Sequence, residues 1–128
     1  MLYIVDSYAW VEYFIGSDKG EVLKEILKDP GNRLITPECC IAELAGWALK
    51  NKQGFDKIFT AIRANSEIVT VTLHDWIEAG RTRFEIRKNI KDFGLIDSVV
   101  LVKQKEFNAR IVSGDRHFMN MPNVTFMK

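Results

Sequence analysis

The placement of short apolar runs constrains this fold most tightly. Leu2-Tyr3-Ile4-Val5 is unbroken by any charge and stops at Asp6-Ser7. An apolar run of this length without alternation is the pattern of a strand covered on both faces. Arg33-Leu34-Ile35-Thr36 and Ala109-Arg110-Ile111-Val112 have the same brevity. Glu67 to Thr72 alternates with β-branched residues, and Val124-Thr125-Phe126 after Pro122 reads as a short fifth strand. Between them lie stretches of helical length. One spans 7–15 and is closed by Gly16; the next spans 18–28 and is closed by Asp29-Pro30-Gly31. Others cover about 37–51, opening at Pro37, then 55–65, 74–91 and, after the break at Gly94, 95–107. Strands separated by helices predict an α/β fold with a parallel sheet sandwiched by helices. By analogy with doubly wound sheets, the expected strand order is 3-2-1-4-5. Ligands of such sheets bind beyond the carboxyl ends of the strands.

With 128 residues, the chain accommodates one domain over 1–128. Its 47% hydrophobic and 27% charged residues are ordinary for a globular protein. A formal net charge of +1 excludes a protein that holds nucleic acid by bulk charge, but not one with a local basic face. Cys39 and Cys40 are neighbours, unsuited to a staple or a zinc site, and are expected to pack as small apolar groups in a reducing compartment. With no signal-like N-terminus and no long apolar stretch, a cytoplasmic, non-membrane location is expected.

Four acids fall where that sheet would bind a ligand. Asp6 follows the first strand, and Asp115 follows the fourth after Ser113-Gly114. Asp97 lies near the start of a helix 18 residues earlier, enough chain to run down the sheet and back. Glu43 lies about two turns into the helix after the second strand, among Ile41, Ala42, Leu44 and Ala45, where an acid needs a partner. Singly, Asp6 and Asp97 also fit helix caps, and Asp115 a turn. Together, clustered carboxylates repel unless a cation compensates them. All-oxygen donors suit Mg²⁺ or Mn²⁺, ions that support phosphodiester hydrolysis.

Tyr3-Ile4-Val5-Asp6-Ser7, Ile41-Ala42-Glu43-Leu44, Leu95-Ile96-Asp97-Ser98 and Ile111-Val112-Ser113-Gly114-Asp115-Arg116-His117-Phe118 together resemble the PIN-domain family, in particular its VapC-like toxin nucleases. The resemblance spans nearly the whole chain. It implies a parallel-sheet fold and Mg²⁺- or Mn²⁺-dependent RNA cleavage, often by a homodimer held inactive by a small antitoxin. Carried over by position, Asp6, Glu43, Asp97 and Asp115 are the metal-binding acids. Ser7 and Ser113 stand where the family often has Thr or Ser, and their hydroxyls would support a carboxylate or a metal-bound water. One departure is His117, where many relatives carry a further acid.

Other residues have two readings. Arg83, Arg87 and Lys91 recur on one face of the expected 74–91 helix, as a phosphate-contacting ridge or a solvated face. The helix Ser7–Ile15 is apolar nearly all round, so Trp10, Tyr13 and Phe14, like Trp47, belong either to the core or to an interface with a partner. His117 adjoins Asp115, within reach of a substrate. Competing with a toxin endoribonuclease are a housekeeping RNA-processing nuclease, a phosphatase on the same scaffold, and a non-catalytic binding module. An aspartyl-phosphate phosphatase favours a second acid two residues beyond its nucleophile, where this chain has Tyr8.

Overall fold

A computed structural model describes residues 1–128. Five parallel strands, β1 (Leu2–Val5), β2 (Arg33–Pro37), β3 (Glu67–Val69), β4 (Arg110–Ser113) and β5 (Val124–Phe126), form one sheet. Their order is β3-β2-β1-β4-β5, as expected. Six helices connect them: α1 (Ser7–Ile15), α2 (Gly20–Lys28), α3 (Glu38–Lys50), α4 (Phe55–Asn65), α5 (Leu73–Ile86) and α6 (Leu95–Phe107). No helix is long and apolar enough to cross a membrane.

Alternation along the central strands divides the core between the two faces of the sheet. Ile4, Ile35 and Ile111 pack with Phe93, Val99, Val100 and Phe118 on the side of α5 and α6. Their neighbours Val5, Leu34 and Val112 pack with Ala9, Trp10, Leu44 and Met127 on the side of α1 to α4. Burial on both faces is why these strands carry unbroken apolar runs. Cys39 and Cys40 are buried and unpaired.

Three elements differ from expectation. The helix expected over 74–91 ends at Ile86, and residues 87–93 form turns instead. Arg87 braces these turns by donating from Nε to the Phe93 carbonyl at 2.8 Å. Lys91 is therefore off the helix, Arg83 is half-buried, and the continuous basic ridge does not form. The third strand stops at Val69, because the backbone N–H of Val71 turns to the Glu38 carboxylate at 2.9 Å rather than to a strand. Pro37 closes β2 and precedes α3, with ψ at 140° rather than helical.

Trp10 is fully buried, and its indole N–H donates to Thr36 Oγ1 at 3.0 Å. It belongs to the core, which corrects its reading as an interface residue. The Tyr13 and Phe14 rings pack against it with centroids 5.8 Å away, and both are half-buried, as is Trp47. Only the outer edges of these three remain open to a partner.

Candidate active site

The sheet's register puts the first acids side by side. Val5 lies opposite Val112 in the β1–β4 pairing, so Asp6 and Ser113 emerge together at the carboxyl edge. Asp6 caps α1: its Oδ1 accepts from the Ala9 N–H at 2.9 Å. Its Oδ2 accepts from the Ser113 hydroxyl at 2.5 Å. The same Ser113 oxygen accepts from the Asp115 N–H at 3.0 Å, so one hydroxyl ties two acid-bearing segments together. Gly114 between them has no room for a side chain, since a Cβ would collide with the Tyr8 ring. That close approach of α1 to the end of β4 fixes the turn presenting Asp115.

Asp115 opens a 3₁₀ turn, Arg116–Phe118, and its Oδ1 accepts from the His117 N–H at 2.9 Å. Asp97 sits in the first turn of α6. It is not the cap, a position held by Gly94 with no side-chain bond to the helix. Asp97 Oδ2 lies 3.8 Å from His117 Nδ1, and Asp115 Oδ1 lies 2.7 Å from the same nitrogen. Glu43 is exposed as a residue, contrary to the expectation of a buried acid, because Ala42 and Glu43 lie on the outer face of α3. Its carboxylate is held at the edge by the Ser7 hydroxyl, at 2.8 Å. Ser7 and Ser113 each donate a hydrogen bond to a carboxylate of this edge.

The electrostatics match this crowding. Asp6, buried first of all and then facing Asp97 and Asp115, has its pKa raised to about 7 despite the Ser113 and Ala9 hydrogen bonds. Burial and the charge of Asp115 raise Asp97 to about 6. Partial burial also pushes Glu43 up, against the Ser7 hydrogen bond and with help from Asp115. No lysine or arginine pairs with any of the four. Such a set binds either protons or a cation, and its oxygens fit a hard divalent ion.

Two further residues reach this edge. His117, with its side chain 14% exposed, wedges between the acids, its ring edge-to-face with the buried ring of Phe93. Asp92 Oδ1 lies 2.9 Å from His117 Nε2, and its Oδ2 accepts from Arg116 at 2.6 Å. The sequence reading did not single out Asp92, since a helix running to residue 91 would have carried it past the site. The signal was its position just ahead of Phe93-Gly94, in the break before the helix of Asp97. A surface cleft of about 610 Å³ lies elsewhere, lined by α5 and α6 residues such as His74, Glu78 and Gln104. An open carboxylate edge suits a polymeric substrate better than a deep pocket would.

A family model described as the PIN domain matches residues 3–124. The chain belongs to the PIN-domain family. That family is one of nucleases, hydrolases of nucleic acid. No curated protein sequence matches the chain. Solved structures share its fold from end to end. VapC20 of Mycobacterium tuberculosis, described as a toxin cleaving the sarcin–ricin loop, superposes with a TM-score of 0.77 at 12% identity, covering 98% of this chain and 99% of that one. VapBC2 of Rickettsia felis, bound to a DNA fragment from its promoter, gives 0.73 at 19% identity, covering 98% and 97%. A toxin–antitoxin complex from Klebsiella pneumoniae gives 0.71 at 16% identity, covering 98% of each chain.

Proposed function

We propose that this PIN domain is a divalent-metal-dependent endoribonuclease, the toxin of a toxin–antitoxin pair. The observation that carries the reading is the convergence of Asp6, Glu43, Asp97 and Asp115 from four segments onto one sheet edge without a lysine or arginine to balance them. Asp97 and Asp115 are the most directly presented donors, and Asp6 is held behind them by Ser113 and the α1 N-terminus. When bound at this edge, Mg²⁺ or Mn²⁺ supplies positive charge that acidifies water and stabilises charge building on the phosphate. Glu43, braced by Ser7 and more open than Asp6, orients the attacking water and takes its proton. Arg87 and Lys91, exposed in the turns before Asp92, are the basic groups assigned to the RNA backbone. RNA as the substrate is supported by the likeness to a toxin described as cleaving the sarcin–ricin loop. An antitoxin partner is supported by the likeness to VapBC and toxin–antitoxin complexes, and the proposal extends to a homodimer in a cytoplasmic setting.

The experiment is cleavage of a labelled structured RNA by antitoxin-free protein in Mg²⁺ or Mn²⁺, beside EDTA and an Asp97→Asn control. Metal-dependent cutting absent from both controls is the expected result. A folded protein that cuts no RNA in any metal overturns the reading in favour of a non-catalytic module.

A further inference from the structure

We infer that His117 is a nitrogen ligand of the metal site, through Nδ1, and that it tilts this PIN domain toward Mn²⁺ over Mg²⁺. The inference rests on the metal-dependent reading above and assigns a role to the one position where the chain departs from the acidic pattern it otherwise resembles. Asp97, Asp115 and His117 each offer one ligand atom, and these three atoms lie within 4.8 Å of one another. That span is compact enough for one cation with bonds of about 2.0–2.2 Å to engage all three after small side-chain adjustments.

The imidazole has the setting of a ligand. Both ring nitrogens are buried, yet neither has a hydrogen-bond partner of good geometry. Each nitrogen has a carboxylate oxygen beside it, Asp115 Oδ1 at 2.7 Å from Nδ1 and Asp92 Oδ1 at 2.9 Å from Nε2. Buried ring nitrogens left without aligned partners are uncommon and need a reason. The two ends of the ring also differ. Nδ1 faces the metal-binding acids Asp97 and Asp115, and Nε2 faces Asp92. A carboxylate behind the far nitrogen is how ligating histidines are usually oriented. Asp92 is itself held by Arg116, and the ring edge rests on Phe93 with centroids 5.9 Å apart. Asp92 is thus a positioning residue for His117. An imidazole donor favours first-row transition ions, whereas Mg²⁺ prefers oxygen and retains water.

The test is titration of the metal-free protein with Mn²⁺ alone and with Mg²⁺ alone by calorimetry, together with pulsed electron paramagnetic resonance of bound Mn²⁺. Wild type should show nitrogen coupling to Mn²⁺, retained in His74→Ala, which removes the only other histidine, and lost in His117→Ala. Mn²⁺ affinity should fall by about tenfold or more in His117→Ala and by a smaller factor in Asp92→Asn, with Mg²⁺ affinity within about twofold throughout. His117→Asp, which returns an oxygen donor, should bind both ions and close the gap between them. Melting curves confirm that each variant is folded. Mn²⁺ bound without nitrogen coupling, or equal losses for both ions, overturns the role of His117 while leaving the metal-dependent nuclease standing. A wild type that binds no Mn²⁺ overturns both.

Discussion

Two sets of acids meet at α6, one at its first turn and one around Lys103, and they are treated in opposite ways. Asp75 completes a capping box at the start of α5 and meets Lys103 Nζ at 2.8 Å. Lys103 is almost wholly buried and also contacts Glu106 at 2.9 Å. Burial alone would raise the Asp75 pKa, but hydrogen bonds from Lys103 and Thr72 outweigh it and hold it below the usual value. At the carboxyl edge of the sheet, burial wins, and Asp6 and Asp97 stand well above that value. The chain carries its own cation for one group and leaves the other to be balanced from outside. A charge compensated internally serves the fold; a cluster left uncompensated costs stability, which is what the proposed metal site would explain.

The largest effect expected from breaking this contrast is on activity. Asp97→Asn should reduce RNA cleavage to the level of the EDTA control, a loss beyond about a hundredfold, since residues merely supporting metal ligands cost 10–100-fold. Single-turnover cleavage in Mn²⁺ measures it, and residual activity near wild type would demote Asp97 to a structural acid.

Next comes the internal pair. Lys103→Met leaves Asp75 charged and buried, which should lower unfolding free energy by about 3–5 kcal/mol. Denaturant titration gives the value. The same measurement on metal-free Asp97→Asn at pH 8 should move the other way, because one of the crowded charges has been removed. If both variants destabilise equally, the two acid groups are alike and the contrast fails.

A smaller effect concerns pH. Asp6 and Asp97 have folded-state values of about 7 and 6 against 3.8 for a free carboxyl, so the folded protein binds more protons than the unfolded chain between roughly pH 4 and 7. Their contribution is therefore most favourable below pH 4 and is lost as pH rises through 6 to 7. Metal-free protein should lose on the order of 2 kcal/mol between pH 5 and pH 8, after discounting for relaxation of the buried site. Thermal melts over that range, repeated with Mn²⁺, should show the loss and its reversal at pH 8. A flat profile without metal would mean the acids are not crowded in solution.

The smallest expected effect tests the core reading of α1. Trp10→Phe removes the hydrogen bond to Thr36, which keeps its 2.7 Å contact with Ser66, so a loss of about 1 kcal/mol is expected. Unchanged oligomeric state by light scattering, beside that loss, would fit a residue buried within one chain.

The sequence by itself determined the architecture and the sheet edge at which the acids gather. Unbroken apolar runs specify strands covered on both faces, and in a parallel sheet such strands end at one common edge. Asp6 and Asp115, one and two residues beyond β1 and β4, had little freedom to lie elsewhere. Gly16, in the left-handed region at φ 72°, ends α1 where the pattern placed the break. What the sequence left open depended on contacts between distant segments. Helical periodicity ran on past Ile86, but the Arg87 bond to Phe93 favours a turn there, and that turn brings Asp92 back to the site. The apolar neighbours of Glu43 implied burial, yet which face of α3 meets the core is settled by packing against α1 and α4, and Glu43 faces outward onto Ser7. The pairing of Asp75 with Lys103, 28 residues apart, leaves no local trace at all. Local propensity and periodicity are properties of neighbouring residues, so they fix elements and their ends. Which charges are buried, and which find a partner, is decided only when separate elements close against one another.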